Sequence, residues 1–141
     1  MFDAVTDPIA ADSRIAYALV FGSHARGTAH DGSDLDVAIG GLTMPLDNHE
    51  LGDLVGRLEA ATGKTVDVVL LDTAPPSLAY RVFRDGVVVL DRDHRAFVDR
   101  RARAVMEYLD WKPVEDFFVN GGGRAVPPPF VLRMALAGRR P

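Results

Sequence analysis

Apolar residues along the chain follow two alternating patterns. Apolar-rich runs that are typical of buried strands occur at residues 15–21, 34–39, 64–71 and 87–90. Between these runs, apolar positions recur at the spacing of an amphipathic helix. Strands that alternate with helices predict an α/β sandwich, an α+β arrangement in which helices flank a mixed sheet.

The helix ends carry their own signals. Asp47 and Glu50 form a capping-box pair that begins the clearest helix, and Gly63 ends it. The other helices around the strands are expected to begin at Thr6-Asp7-Pro8, to run from Pro75-Pro76 to Gly86, and to run from about Asp93 to Tyr108 before Pro113 interrupts the last one.

A Gly-Ser turn follows the first predicted strand. Gly22 lets the chain turn away without a side-chain clash, and Ser23 is expected to cap a helix whose free N–H groups face a phosphate. Arg26 is expected either to hold a phosphate oxygen or to brace the loop through a carboxylate. Gly27 and Gly32 are typical turn residues. The segment therefore predicts an anion-binding turn.

Three aspartates lie on predicted strands. Asp34 and Asp36 are two positions apart, so their side chains share one face of their strand. Two like charges this close are costly unless one carboxylate keeps a proton or a divalent cation binds between them. Oxygen ligands alone favour Mg²⁺ or Mn²⁺ over zinc. If the strand that carries Asp67 is a neighbour, this carboxylate completes a cluster for one or two metals.

Each of these features alone has an ordinary structural explanation, since Gly-Ser turns are common and an exposed Asp-x-Asp is usually solvated. Their combination is far more restrictive, because ten residues separate Ser23 from Asp34 and a third aspartate follows on a later strand. His24, beside Ser23, is a further group that is either a triphosphate contact or a structural residue.

Length and composition limit the class of protein. A chain of 141 residues is large enough for one core, and too small to carry a separate acceptor-binding domain. It contains no cysteine, no apolar stretch of membrane-spanning length and no signal-peptide pattern, so we expect a cytoplasmic protein without membrane contact. The net charge of −4 disfavours direct nucleic-acid binding.

The chain divides by composition at about residue 120. Residues 1–119 are expected to form the folded domain, and residues 120–141 a Gly/Pro-rich basic tail with no carboxylate side chain. This tail is either a frayed terminus or a partner-docking segment. The aromatic residues that precede it are either core or a docking surface: Tyr108, Trp111, Phe117 and Phe118.

The motif resembles that of nucleotidyltransferases of the DNA polymerase β-like superfamily, which carry Gly-Ser, ten intervening residues and Asp-x-Asp. The match is complete at Gly22, Ser23, Asp34 and Asp36. The Ala-Arg-Gly continuation and the small size look most like the minimal nucleotidyltransferases, which are antitoxin partners of HEPN-domain ribonuclease toxins. The resemblance is strongest over residues 15–71.

This resemblance implies a set of roles. Asp34, Asp36 and Asp67 would bind two Mg²⁺ ions, with Mn²⁺ as an alternative, and Asp67 would also be the general base. Gly22 and Ser23 would hold the phosphates of ATP. The protein would transfer AMP to a tyrosine hydroxyl of a cognate HEPN toxin. The alternatives are an antitoxin that acts by binding alone, and a small-molecule nucleotidyltransferase of the aminoglycoside-modifying type.

Overall fold

The structure, a computed structural model, describes the backbone of residues 2–119 and the side chains of residues 2–113. The predictions for the tail at 120–141, and for the side chains of Phe117 and Phe118, lie outside this part. The elements follow in the order α1 (Asp3–Ala10), β1 (Tyr17–Phe21), α2 (Ser23–Arg26), β2 (Leu35–Gly40), α3 (Asn48–Thr62), β3 (Val66–Leu70), α4 (Pro76–Asp85), β4 (Val87–Asp91) and α5 (His94–Val119).

The strands form one mixed sheet in the order β3-β2-β1-β4. β2 and β3 are parallel, and the other pairs are antiparallel. This confirms the predicted α/β fold with a mixed sheet. The register brings the end of β1 beside the start of β2, with Phe21 opposite Asp36, and it brings Asp36 beside Asp67 of β3. The predicted motifs therefore meet at one end of the sheet.

Helices cover the sheet on both faces, because alternate strand residues point to opposite sides. One apolar cluster joins α1 and α3 to the sheet: Val5, Ile9, Ile15, Ala18, Val20, Leu35, Val37, Ile39, Leu54, Leu58 and Val66. The other joins α4 and α5 to the opposite face: Tyr17, Leu19, Ala38, Leu71, Ala79, Val82, Phe97 and Ala104. The three site aspartates belong to the strand positions that face α4 and α5.

Four helix ends confirm the sequence signals. The Asp47 side chain accepts a hydrogen bond from the Glu50 N–H at 2.8 Å, and the Glu50 carboxylate accepts one from the Asp47 N–H at 3.2 Å, so the capping box is complete. Gly63 ends α3 in the left-handed conformation, with φ of 69°. α4 begins at Pro76 and gives way to Gly86, as expected.

Two helix boundaries were predicted wrongly. α1 begins at Asp3 rather than at Thr6-Asp7-Pro8, and the Thr6 hydroxyl donates back to the Phe2 carbonyl. The earlier start lets Val5 and Ile9, four residues apart, both enter the core. α5 continues through Pro113 to Val119. A proline removes one N–H bond but its fixed φ is helical, so the helix passes through it.

No helix in residues 2–119 is long and apolar enough to cross a lipid bilayer.

Candidate active site

Gly22 lies in direct contact with the Asp36 carboxylate. Its backbone has φ of 72° and ψ of −152°, a conformation that residues with a Cβ atom rarely adopt. A Cβ at this position would collide with the Asp36 Oδ2 atom. Glycine is therefore required both by the turn and by the carboxylate beside it. This contact joins the two motifs that the sequence places ten residues apart.

α2 is a single four-residue turn, and its cap differs from the prediction. Gly22, not Ser23, is the N-cap residue, and no side chain caps the helix. Ser23 is instead the first helical residue, because the chain already turns at Gly22, one position before the predicted cap. The Arg26 N–H donates to the Gly22 carbonyl at 3.1 Å, and Gly27, with φ of 74°, ends the turn.

The three aspartates approach the sheet end from two strands. Asp36 is half-buried in β2, whereas Asp34, just before β2, and Asp67, in β3, are exposed. Asp36 and Asp67 are direct partners in the parallel register, so they lie side by side on one face. Leu35 and Val37 pack into the opposite core, as the alternation predicts.

Electrostatic crowding at Asp36 has a clear direction. Burial raises the pKa of its carboxyl above the usual value, and the negative charges of Asp67 and Asp34 raise it further. The positive charges of His24 and Arg26 act in the opposite direction. The carboxylates are therefore close enough to repel one another, and a bound cation would relieve that repulsion.

Their oxygen-only donor set suits a hard divalent cation such as Mg²⁺ or Mn²⁺. As the side chains stand, however, the described residues contain no group of three or more His, Cys, Asp or Glu arranged to hold a metal ion. Asp34 and Asp67 are exposed, so rotation of their side chains is sterically open. The three aspartates thus fit a divalent cation by their charge and their oxygen donors. Asp36, which is half-buried, is the one whose position the packing constrains.

A cavity of about 390 Å³ opens beside this contact, lined by Phe21, Gly22, Arg26, Asp36, Leu78, Arg81, Arg84 and Asp85. Arg81 is a residue that sequence analysis did not single out. The sequence signal was present, because Ala79 and Val82 of α4 face the core and leave Arg81 exposed. What the sequence lacked was the packing of α4 beside β1, which brings this helix to the Gly-Ser turn.

Arg26 was expected to bind phosphate or to brace the loop through a carboxylate. Within the described residues, the Arg26 side chain makes no hydrogen bond or ion pair. Its charge lowers the pKa of Asp85, after the larger effect of Arg84, but only through space. The bracing contact is therefore missing, and Arg26 lines the cavity as an exposed cation.

His24 is a structural residue here. It is buried, at 9% exposed, and its Nε2 lies 3.3 Å from the Ser33 carbonyl oxygen. The ring also lines a small apolar cavity with Phe2 and Val5, away from Arg81 and Arg84. Of the two interpretations of His24, these contacts support the structural one, and contact with a triphosphate stays a prediction. The ring fills space under the loop that carries Asp34.

Part of the aromatic end of α5 packs within the domain. The Tyr108 ring stacks on the Tyr80 ring with centroids 4.0 Å apart and an interplanar angle of 4°. Trp111 is half-buried. Of the two interpretations of these aromatics, core packing is therefore the one that the Tyr108 contact supports.

Several solved structures share this fold at low sequence identity. A chain described as "toxin-antitoxin with AMP-PNP" aligns with a TM-score of 0.73 at 22% identity, over 87% of this chain and 98% of that one. A chain from a tri-AMPylated Shewanella oneidensis HEPN toxin in complex with MNT antitoxin aligns with a TM-score of 0.67 at 19% identity, over 89% and 100%. A chain of the toxin-antitoxin MntA-HepT aligns with a TM-score of 0.62 at 20% identity, over 80% and 86%.

The fold, the Gly22–Asp36 contact and the sequence agree with one family model. No curated protein matches the sequence significantly. The model described as "Polymerase beta, Nucleotidyltransferase" matches residues 5–95, which is more than half of the chain and includes every residue of the candidate site. This chain therefore belongs to the polymerase beta nucleotidyltransferase family.

Proposed function

We propose that this chain is an antitoxin that transfers AMP from ATP to a tyrosine hydroxyl of a cognate HEPN toxin and thereby neutralises it. The contact between Gly22 and the Asp36 carboxylate carries the proposal, because it sets a turn for phosphates against a carboxylate for a cation. Asp67, beside Asp36 in the register, adds a second acid from another strand.

The chemistry is nucleotidyl transfer at the α-phosphate. The acceptor hydroxyl oxygen forms a bond to the α-phosphorus, the bond from that phosphorus to the bridging oxygen breaks, and pyrophosphate leaves. We assign Gly22 and Ser23 to the phosphates and Asp34, Asp36 and Asp67 to the metal site. We assign Asp67, which is exposed on β3, as the general base that accepts the proton of the attacking hydroxyl. A bound divalent cation supplies positive charge for the phosphate oxygens and the leaving group.

The choice of ATP and of a toxin acceptor rests on the distant structural relatives. One of them is described with AMP-PNP, and another contains a tri-AMPylated HEPN toxin with its MNT antitoxin. The present chain covers nearly the full length of both relatives.

The test uses the full chain and the HEPN-type toxin that the proposal assigns as its partner. With ATP labelled at the α-phosphate, we expect Mg²⁺-dependent label on the partner. Asp36→Asn should reduce the transfer rate by about a thousandfold or more, because it removes charge from the site of transition-state stabilisation. Asp53→Asn is the matched control, since Asp53 lies on α3, on the opposite side of the sheet, and pairs only with the exposed His49. Full transfer by Asp36→Asn would contradict the catalytic assignment.

Neutralisation by binding alone is the second candidate, and one observation favours it: the carboxylates as they stand form no ready metal site. Protection of cells from the toxin separates the two functions. If Asp36→Asn still forms the complex but no longer protects, transfer is the antitoxin activity. If it protects fully while transfer is lost, binding is sufficient.

A further inference from the structure

The cavity beside Asp36 contains three arginines, and their contacts divide them into two kinds. Arg84 is engaged with its neighbour, because its Nε and Nη2 donate to the two carboxylate oxygens of Asp85 at 3.0 and 2.8 Å. Its guanidinium also lies over the Tyr80 ring, 5.6 Å from the centroid. Arg84 and Asp85 therefore form a neutral, oriented pair at the edge of the cavity.

Arg81 differs from Arg84 although both lie on the same helix. Within residues 2–113, the Arg81 side chain makes no hydrogen bond, ion pair or ring contact. It is exposed and lines the cavity, as does the equally unpaired side chain of Arg26 from α2. Two arginines from different helices thus line one cavity without an ion-pair partner among the described residues.

Unpaired guanidinium groups beside a carboxylate fit a ligand of a particular charge distribution. A phosphate chain offers several oxygens that accept paired N–H bonds from arginine, and two arginines can hold two successive phosphates. Asp36 lines the same cavity, next to the Gly22 turn. The cavity therefore combines one half-buried carboxylate with two guanidinium groups that make no ion pair among the described residues.

We propose that Arg81, together with Arg26, binds the β- and γ-phosphates and selects nucleoside triphosphates over monophosphates. This inference rests on the proposed function for the identity of the nucleotide, but its phosphate-binding part is independent of transfer. Arg81 is a positioning residue in this scheme, since it holds the leaving pyrophosphate group and orients the α-phosphate towards Asp36. Arg84 keeps its place as a neutral pair with Asp85.

The direct test measures binding of inorganic tripolyphosphate and of AMP to the full chain by calorimetry. Arg81→Gln should weaken tripolyphosphate binding about tenfold or more, because the lost hydrogen bonds join charged groups. AMP binding should stay within about twofold of wild type, since AMP lacks the outer phosphates. Arg81→Lys, which keeps the charge but loses the paired donors, should fall between wild type and Arg81→Gln.

Arg57→Gln is the matched control, because Arg57 is exposed on α3 and its loss changes the net charge equally. If Arg81→Gln and Arg57→Gln weaken the binding of tripolyphosphate to the same extent, the cause is the overall charge of the protein and the inference is overturned. Unchanged tripolyphosphate binding in Arg81→Gln overturns it as well.

Steady-state transfer separates this inference from the proposed function. Arg81→Gln should raise the KM for ATP more than it lowers kcat, the result expected when binding interactions outside the reacting bond are removed. If no partner accepts AMP while tripolyphosphate binding still depends on Arg81, the proposed acceptor fails and the phosphate site stands. If wild type and Arg81→Gln both transfer AMP with the same KM for ATP, the proposed function stands and the role of Arg81 fails.

Discussion

The two faces of the sheet differ in what their side chains do. The face towards α1 and α3 is almost entirely apolar, and α3 packs there with its start fixed by a complete capping box. The face towards α4 and α5 has an apolar centre around Tyr17 and Phe97, but ionisable groups at both ends, with Asp36 at one and Arg100 at the other. The two faces thus differ in composition: one is covered by a continuous apolar cluster, and the other combines an apolar centre with ionisable groups.

The largest expected effect lies on the apolar face. Leu58 is completely buried between α3 and the sheet, so Leu58→Ala should lower the free energy of unfolding by about 2–5 kcal/mol through lost burial and a residual cavity. Urea denaturation of both proteins measures this. Leu109→Ala is the control, because Leu109 is 63% exposed on α5. Equal losses in the two variants would contradict the contrast between the faces.

A smaller loss is expected from the start of α3. Asp47→Ala removes the acceptor for the Glu50 N–H and breaks the capping box, which should cost about 1 kcal/mol. Thermal unfolding of the variant checks this value. Asp53→Ala, within the same helix, changes one exposed carboxylate without touching the cap, and a comparable loss there would mean that general charge and not capping is responsible.

The smallest change in stability, a gain and not a loss, is expected from a substitution at Asp36. The pKa of Asp36 is raised in the folded state, by burial first and by its acidic neighbours second. Its carboxyl therefore favours the fold fully below the unfolded pKa near 3.8, and this contribution is lost as pH rises through the folded value. Without metal, Asp36→Asn should be slightly more stable than wild type at neutral pH, and the gain should vanish in acid.

Unfolding curves at several pH values measure this gain, and Mg²⁺ should reduce it by stabilising only the wild-type protein. A loss of stability in Asp36→Asn at neutral pH would show that Asp36 acts as a structural residue and would remove the distinction between the two faces.

Patterns that depend on neighbouring residues predicted the fold well. The capping box at Asp47, the stop at Gly63 and the alternation of Leu35 and Asp36 are local, and each was found as expected. The Gly-Ser and Asp-x-Asp motif was also local in sequence, so Gly22, Ser23, Asp34 and Asp36 were singled out without coordinates, and their roles stay predictions. The metal, the nucleotide and the partner stay predictions.

Features that depend on tertiary packing were missed or mistaken. His24 is held under a loop by the Ser33 carbonyl, a contact that the adjacent Ser23 cannot reveal. The cap of α2 depends on the positive φ of Gly22, and the Asp36 carboxylate beside it leaves no room for a Cβ at this position. Arg81 reaches the cavity only because α4 packs beside β1, and no sequence spacing encodes that approach.

The junction between β3 and α4 is tied down from the far end of the domain. The Asp72 carboxylate accepts the Gly41 and Leu42 N–H groups at 2.9 and 3.0 Å, and the buried Arg100 donates twice to the Leu71 carbonyl at 3.1 and 2.9 Å. These bonds join the end of β2, the β3–α4 crossover and α5. The segment that leads into α4 is consequently anchored to β2 and to α5, and the helix that carries Arg81 would already be oriented when the proposed phosphate ligand binds.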